Sequence, residues 1–101
     1  YLVCAAVFDQ RLLDHLAQDR AGEDATVTAL SDKWSALSLN GPRSRDVLRA
    51  CTDAQLDNAN FRWLSAQEIT VAGHQIWAFR MSYAGELGWE FHMPNAACLA
   101  V

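Results

Sequence analysis

Arg80-Met81-Ser82-Tyr83-Ala84-Gly85-Glu86-Leu87-Gly88-Trp89-Glu90 is the stretch whose reading decides the fold. Gly85 and Gly88 interrupt a region rich in strand formers, and glycine reaches positive φ without a Cβ clash. The stretch reads as a turn between two strands, His74–Tyr83 before it and Leu87–Met93 after it. Side chains alternate between the faces of a strand. In the second strand Trp89, Phe91 and Met93 fall on one face and are predicted core. Glu90 and His92 fall on the other, beside Gly88, where a backbone or a ligand has room to approach. Glu90 is thus a carboxylate on a stiff strand next to a gap. A binding post and a plain solvent-facing glutamate share that pattern, and alternation alone does not separate them.

The rest of the chain sets the frame for that hairpin. It has 101 residues, enough for one domain, 1–101. Apolar residues make up 51%, so a real core is expected. A net charge of −4, with no basic stripe, argues against nucleic acid and anionic membrane as partners. No apolar run approaches the ~20 residues that span a bilayer. Cys4, Cys51 and Cys98 are odd in number and far apart, which predicts buried free thiols and no metal site. Tyr1 opens the chain inside a strand-like run with no initiator Met, and Asn95–Val101 reads as the start of a helix cut short. Both suggest a piece of a longer chain.

Tyr1–Ala6, apolar on both faces, predicts a central strand. Val7–Arg20 carries Phe8, Leu12 and Leu16 at four-residue spacing and predicts a helix, with Gly22 as its stop. His15 reads as a surface histidine. Ala25–Leu30 and Trp34–Leu39 predict two strands around a turn at Ser31–Lys33. Asn40-Gly41-Pro42 opens a second helix, with Val47, Leu48 and Cys51 facing inward and Arg43 and Arg45 solvated. Asp57–Ser65 reads as a loop pinned to the core by Phe61, Trp63 and Leu64. Ala66–Val71, a tight Ala72-Gly73 turn and His74–Tyr83 form a hairpin. Arg80, flanked by apolar strand residues, calls for a carboxylate partner, with Glu68 and Glu90 as candidates. The resulting class is α+β: a ferredoxin-like split βαβ antiparallel sheet with two helices on one face and an extra C-terminal hairpin.

Two segments carry a family resemblance. Leu39-Asn40-Gly41-Pro42-Arg43-Ser44-Arg45-Asp46-Val47-Leu48 resembles the helix start of the glycine cleavage T-protein, an aminomethyltransferase. Arg80-x-Ser82-Tyr83-x-Gly85-Glu86-x-Gly88-Trp89-Glu90 resembles that family's glycine-bracketed signature, and its Gly-Trp-Glu ending is most similar to the folate domain of dimethylglycine and sarcosine dehydrogenases. The resemblance implies a fragment of a T-protein-like fold that binds tetrahydrofolate. It implies that Glu90 holds the pterin ring, that Tyr83 lines the cavity, and that Arg80 and Glu86 support the turn and the carboxylate. In such dehydrogenases an FAD domain upstream oxidises an N-methyl amine. Tetrahydrofolate then captures the carbon as 5,10-methylenetetrahydrofolate. The family's catalytic aspartate falls before residue 1, and Asp9 and Asp14, both on the first helix, do not match it. The segment alone is therefore not expected to complete the reaction. The expected partners are the folate, the amine-derived carbon and the rest of the parent chain. The expected compartment is the cytoplasm or the mitochondrial matrix. Two alternatives share the fold: a free-standing aminomethyltransferase, and a non-catalytic folate-binding assembly factor for iron–sulfur proteins.

Overall fold

The computed structural model describes residues 1–101 and forms two compact units, Tyr1–Asp32 and Lys33–Val101. In the first unit a 3-10 turn, Ala6–Phe8, leads into helix α1, Asp9–Asp19. Leu12, Leu13 and Leu16 are its half-buried stripe. Its other faces are polar, with Gln10 Nε2 donating to Asp14 Oδ1 at 2.8 Å and His15 paired with Asp19 at 3.2 Å. His15 is thus the surface histidine expected.

The second unit is a four-stranded antiparallel sheet with one short helix. Strand β1 spans Trp34–Asn40, helix α2 Ser44–Arg49, β2 Ala66–Val71, β3 His74–Phe79 and β4 Gly88–Pro94, followed by a 3-10 turn at Asn95–Ala97. The strand order is β1-β4-β3-β2, which places β4 between two neighbours. It pairs with β1 over seven positions, Trp34↔Pro94 to Asn40↔Gly88, and with β3 over three, Trp77↔His92 to Phe79↔Glu90. The α+β class, with an antiparallel sheet and two helices, stands as expected.

Two of the expected strands do not form. Residues 1–5 and 25–30 take no regular structure, although the first run is apolar and the second carries Thr26, Val27 and Thr28. Strand propensity measures fit to a pleated, partnered surface. The sheet's four strands all come from the second unit, so neither run has a ladder to join. The long strand before the turn also ends early, at Phe79. Beyond it the Arg80 N–H donates to the Ser65 carbonyl at 2.8 Å, and the chain leaves β4.

The core lies on one face of the sheet. Trp89, Met93, Ile76 and Ala78 are at most 1% exposed, and Phe61 and Leu48 close over them. Phe61 meets Trp89 edge-on, with centroids 6.1 Å apart and planes at 79°. The predicted face of β4 is therefore the buried one. Other expected contacts fail. Val47 is 52% exposed, because the short α2 turns Ser44 and Leu48 inward instead. Pro42 precedes the helix by two residues and lies in a turn closed by the Ser44 N–H on the Gly41 carbonyl. Trp63 and Leu64 are exposed, so of the three apolar side chains only Phe61 is buried in the core. Cys4 and Cys51 are exposed and Cys98 is intermediate, so the thiols are free but not buried.

Gly88 has a steric role. A Cβ there would clash with Asn40 Oδ1 and meet the Leu39 carbonyl at 3.0 Å. The gap inferred beside Glu90 is thus filled by β1, and glycine lets the two strands close. At the other hairpin Ala72 and Gly73 both have positive φ, 49° and 80°, the geometry of a two-residue turn matched to strand twist. Alanine is strained there, whereas asparagine tolerates it. Replacing Ala72→Asn should raise stability by about 0.5–1 kcal/mol, and Gly73→Ala, whose Cβ would meet nothing within 4 Å, should lower it by about 1 kcal/mol through backbone strain alone. Urea denaturation of the two variants checks both signs.

Candidate functional site

Alternation along β4 gives the strand two working faces. On the core side, Trp89 is completely buried and two guanidinium groups lie near its ring, with Arg45 Cζ 5.9 Å and Arg80 Cζ 5.7 Å from the centroid. Such distances favour attraction between cation and ring quadrupole. Asn58 joins the two arginines: its Oδ1 accepts from Arg45 Nη2 and from Arg80 Nη2, each at 2.8 Å. Arg80 Nη1 also donates to the Phe61 carbonyl.

Arg80 is thus held by neutral acceptors and a ring. The carboxylate partner expected from Glu68 or Glu90 is not there: both lie on the opposite face of the sheet, by their register with Trp77 and Phe79. Burial, and then the charge of Arg45, push the Arg80 guanidinium below its ordinary value. Arg45 Nε, Arg80 Nε and Trp89 Nε1 are buried without a protein acceptor. Arg45, expected as a solvated arginine, is instead half-buried in this cluster.

Asn58 is positioned by its own loop. Asp57 Oδ1 accepts from the Ala59 and Asn60 N–H groups at 2.8 and 3.1 Å, and Oδ2 from Asn60 Nδ2 at 2.7 Å. These bonds, led by that from the Asn60 side chain, hold the Asp57 carboxyl below its usual value. No sequence pattern singles out Asn58, because its role depends on two arginines 13 and 22 residues away.

On the other face, Glu90 stands opposite Ser38 of β1 and Phe79 of β3. Its side chain is 29% exposed, and its Oε2 lies 3.4 Å from Nε2 of His92, whose side chain is 5% exposed. The Phe79 ring covers the imidazole, with centroids 4.7 Å apart. Trp77, opposite His92, leaves 41% of its surface in solvent. Glu90 therefore sits in an aromatic-walled strip. Neither of two larger concavities reaches it: one of about 650 Å³ is lined by 49–54, Thr70, Ala72 and Gly73, and one of about 390 Å³ by Cys4, Phe8, Arg11, Leu12 and His15.

The other expected site residues are dispersed. Tyr83 is fully exposed on the turn, Glu86 is exposed near Gly41, and Arg80 faces the core. The turn itself is tied by the Leu87 carbonyl, which accepts from the Gly41 N–H at 2.8 Å and from Ser44 Oγ at 3.0 Å. Gly85, with φ of 78°, supplies the bend read from the sequence.

Comparison with known proteins decides the family. The GCVT N-terminal domain matches residues 1–101. The chain belongs to that family. It is 46% identical over 71 residues to mitochondrial sarcosine dehydrogenase of Mus musculus, covering 70% of this chain and 8% of that protein. It is 33% identical over 73 residues to mitochondrial dimethylglycine dehydrogenase of Homo sapiens, covering 72% of this chain and 8% of that protein. Among solved structures, heterotetrameric sarcosine oxidase from Corynebacterium sp. U-96, in complex with pyrrole 2-carboxylate, superposes with a TM-score of 0.72 at 26% identity, over 89% of this chain and 45% of that one. These relatives are enzymes, and the fold is T-protein-like as expected. The chain spans less than a tenth of the length of either dehydrogenase.

Two outcomes test the arginine cluster. Asn58→Asp puts a carboxylate between two cations at an exposed position and should raise stability by about 1–2 kcal/mol at pH 7; a loss measured in urea would show that the cluster needs no counter-charge. Asp57→Asn should destabilise at neutral pH. Because the wild-type carboxyl is held below its unfolded value of 3.8, its contribution is complete above that pH and fades as pH falls through the folded value. Melting curves of wild type and variant should therefore converge below pH 3.8.

Proposed function

We propose that this segment is the tetrahydrofolate-binding part of a one-carbon-transfer enzyme of the sarcosine or dimethylglycine dehydrogenase type. The observation that carries the reading is Glu90: a half-buried carboxylate on an inner strand, with Oε2 beside His92, between the aromatic side chains of β3 and Ser38 of β1. A pterin presents an amide N–H and an exocyclic amine side by side. An ionised carboxylate accepts both, and charge-assisted paired bonds fix orientation as well as affinity. Trp77 and Phe79 on the same face offer flat apolar contact to the rest of the ring. Tyr83 is the second proposed contact, reached from the exposed turn, with Arg80 and Glu86 supporting the hairpin.

When bound, tetrahydrofolate supplies the nitrogens that carry the one-carbon unit, giving 5,10-methylenetetrahydrofolate as product. Within the segment, Glu90 binds and orients the ring. FAD is proposed for another domain of the parent chain, where the N-methyl amine is oxidised. The names of the dehydrogenase relatives support that division, and their mitochondrial designation supports a matrix location in a eukaryote.

Calorimetric titration of the full-length protein with tetrahydrofolate tests the reading. Glu90→Gln keeps the shape and loses the charge, and should weaken binding by about 1.5–3 kcal/mol. Equal affinities would remove Glu90 from the site.

A further inference from the structure

We propose that His92 is a positioning residue for the Glu90 carboxylate: its Nε2–H donates to one lone pair of Oε2, and Oε1 together with the second lone pair of Oε2 receives the two donors of the ligand. The inference deepens the folate reading and rests on it. A glutamate on a strand has three side-chain torsions to fix, and holding them before the ligand arrives removes an entropic penalty from binding. His92 is placed for that task. Its spacing of two residues puts it on the face of Glu90, and its Nε2 lies 3.4 Å from Oε2. The imidazole is itself immobilised: 5% of the side chain is exposed, and the Phe79 ring packs on it at 4.7 Å. The rigid partner is the histidine, and the more exposed one is the carboxylate that a ligand must reach. Cross-strand neighbours do not duplicate the role. Opposite the pair stand Ser38, Ala36, Trp77 and Phe79, and the side chain that reaches the Glu90 carboxylate is that of His92.

Two substitutions separate the ring from its proton. His92→Phe keeps an aromatic ring against Phe79 and deletes the donor; His92→Gln deletes the ring and keeps an N–H. In the full-length protein, His92→Phe should weaken tetrahydrofolate binding about three- to tenfold, while His92→Gln stays within about twofold of wild type. In the Glu90→Gln background His92→Phe should have no further effect. If Glu90→Gln weakens binding but His92→Phe does not, or if its effect persists in the double variant, the positioning role is overturned and the folate reading stands. If wild type and Glu90→Gln bind alike, Glu90 leaves the site and the positioning role falls with it; if the wild-type protein does not bind tetrahydrofolate, the folate reading falls as well. A measurement on unaltered protein guards against variants that fail to fold. Nitrogen-15 NMR of labelled histidine should show His92 protonated at Nε2, and a bare Nε2 would overturn the proposal.

Discussion

Trp89 is the fixed point of the second unit. Its indole is fully buried, Phe61 meets it edge-on, and two guanidinium groups stand within 6 Å of its ring. Two like charges that close repel each other, and the chain answers with geometry in place of a counter-ion. Asn58 Oδ1 accepts from both, and the aromatic ring offers each a negative face. The consequence reaches along the backbone. Arg45 belongs to α2, Arg80 follows β3, Asn58 comes from the loop between α2 and β2, and Trp89 sits on β4. One cluster therefore ties four segments that are distant in sequence, and it lies on the side of β4 away from Glu90.

This division of labour follows from strand geometry. Adjacent residues of β4 point to opposite faces, so the residue that anchors the strand most firmly is next in sequence to the residue proposed to meet the ligand. Every constraint on Trp89 is a constraint on the Cα of Glu90. Two flanking ladders add to it, since β4 has a neighbour on each side, β1 and β3. His92 then needs to fix only the side-chain torsions, because the backbone is already placed.

The sequence made some of this legible and hid the rest for physical reasons. The alternation Trp89, Phe91, Met93 against Glu90, His92 was readable because a buried strand face repeats every two residues. The Ala72-Gly73 turn was readable because its chemistry is local. The runs at 1–6 and 25–30 misled because their composition suits a strand, while a strand also needs a partner that composition does not name. Arg80 was read as flanked by apolar residues, and its partners were sought among carboxylates. A carbonyl, a carboxamide and an indole met the need instead, and Asn58 carries no mark of that role in its own neighbourhood. The motif that resembles the folate-binding family was visible from its glycine spacing, whereas the pairing of Glu90 with His92 required knowing which rings cover the imidazole.

The β3–β4 ladder is only three residue pairs long, against six between β2 and β3 and seven between β1 and β4. The sheet is thus two well-zipped ribbons stitched along a short seam, and two of the three stitches are His92 and Glu90. Relative twisting of the ribbons would be concentrated at that seam. A flat molecule lying across it, touching Glu90 on one ribbon and Phe79 or Trp77 on the other, would act as a splint, so occupancy of the face would be felt mechanically by the whole sheet.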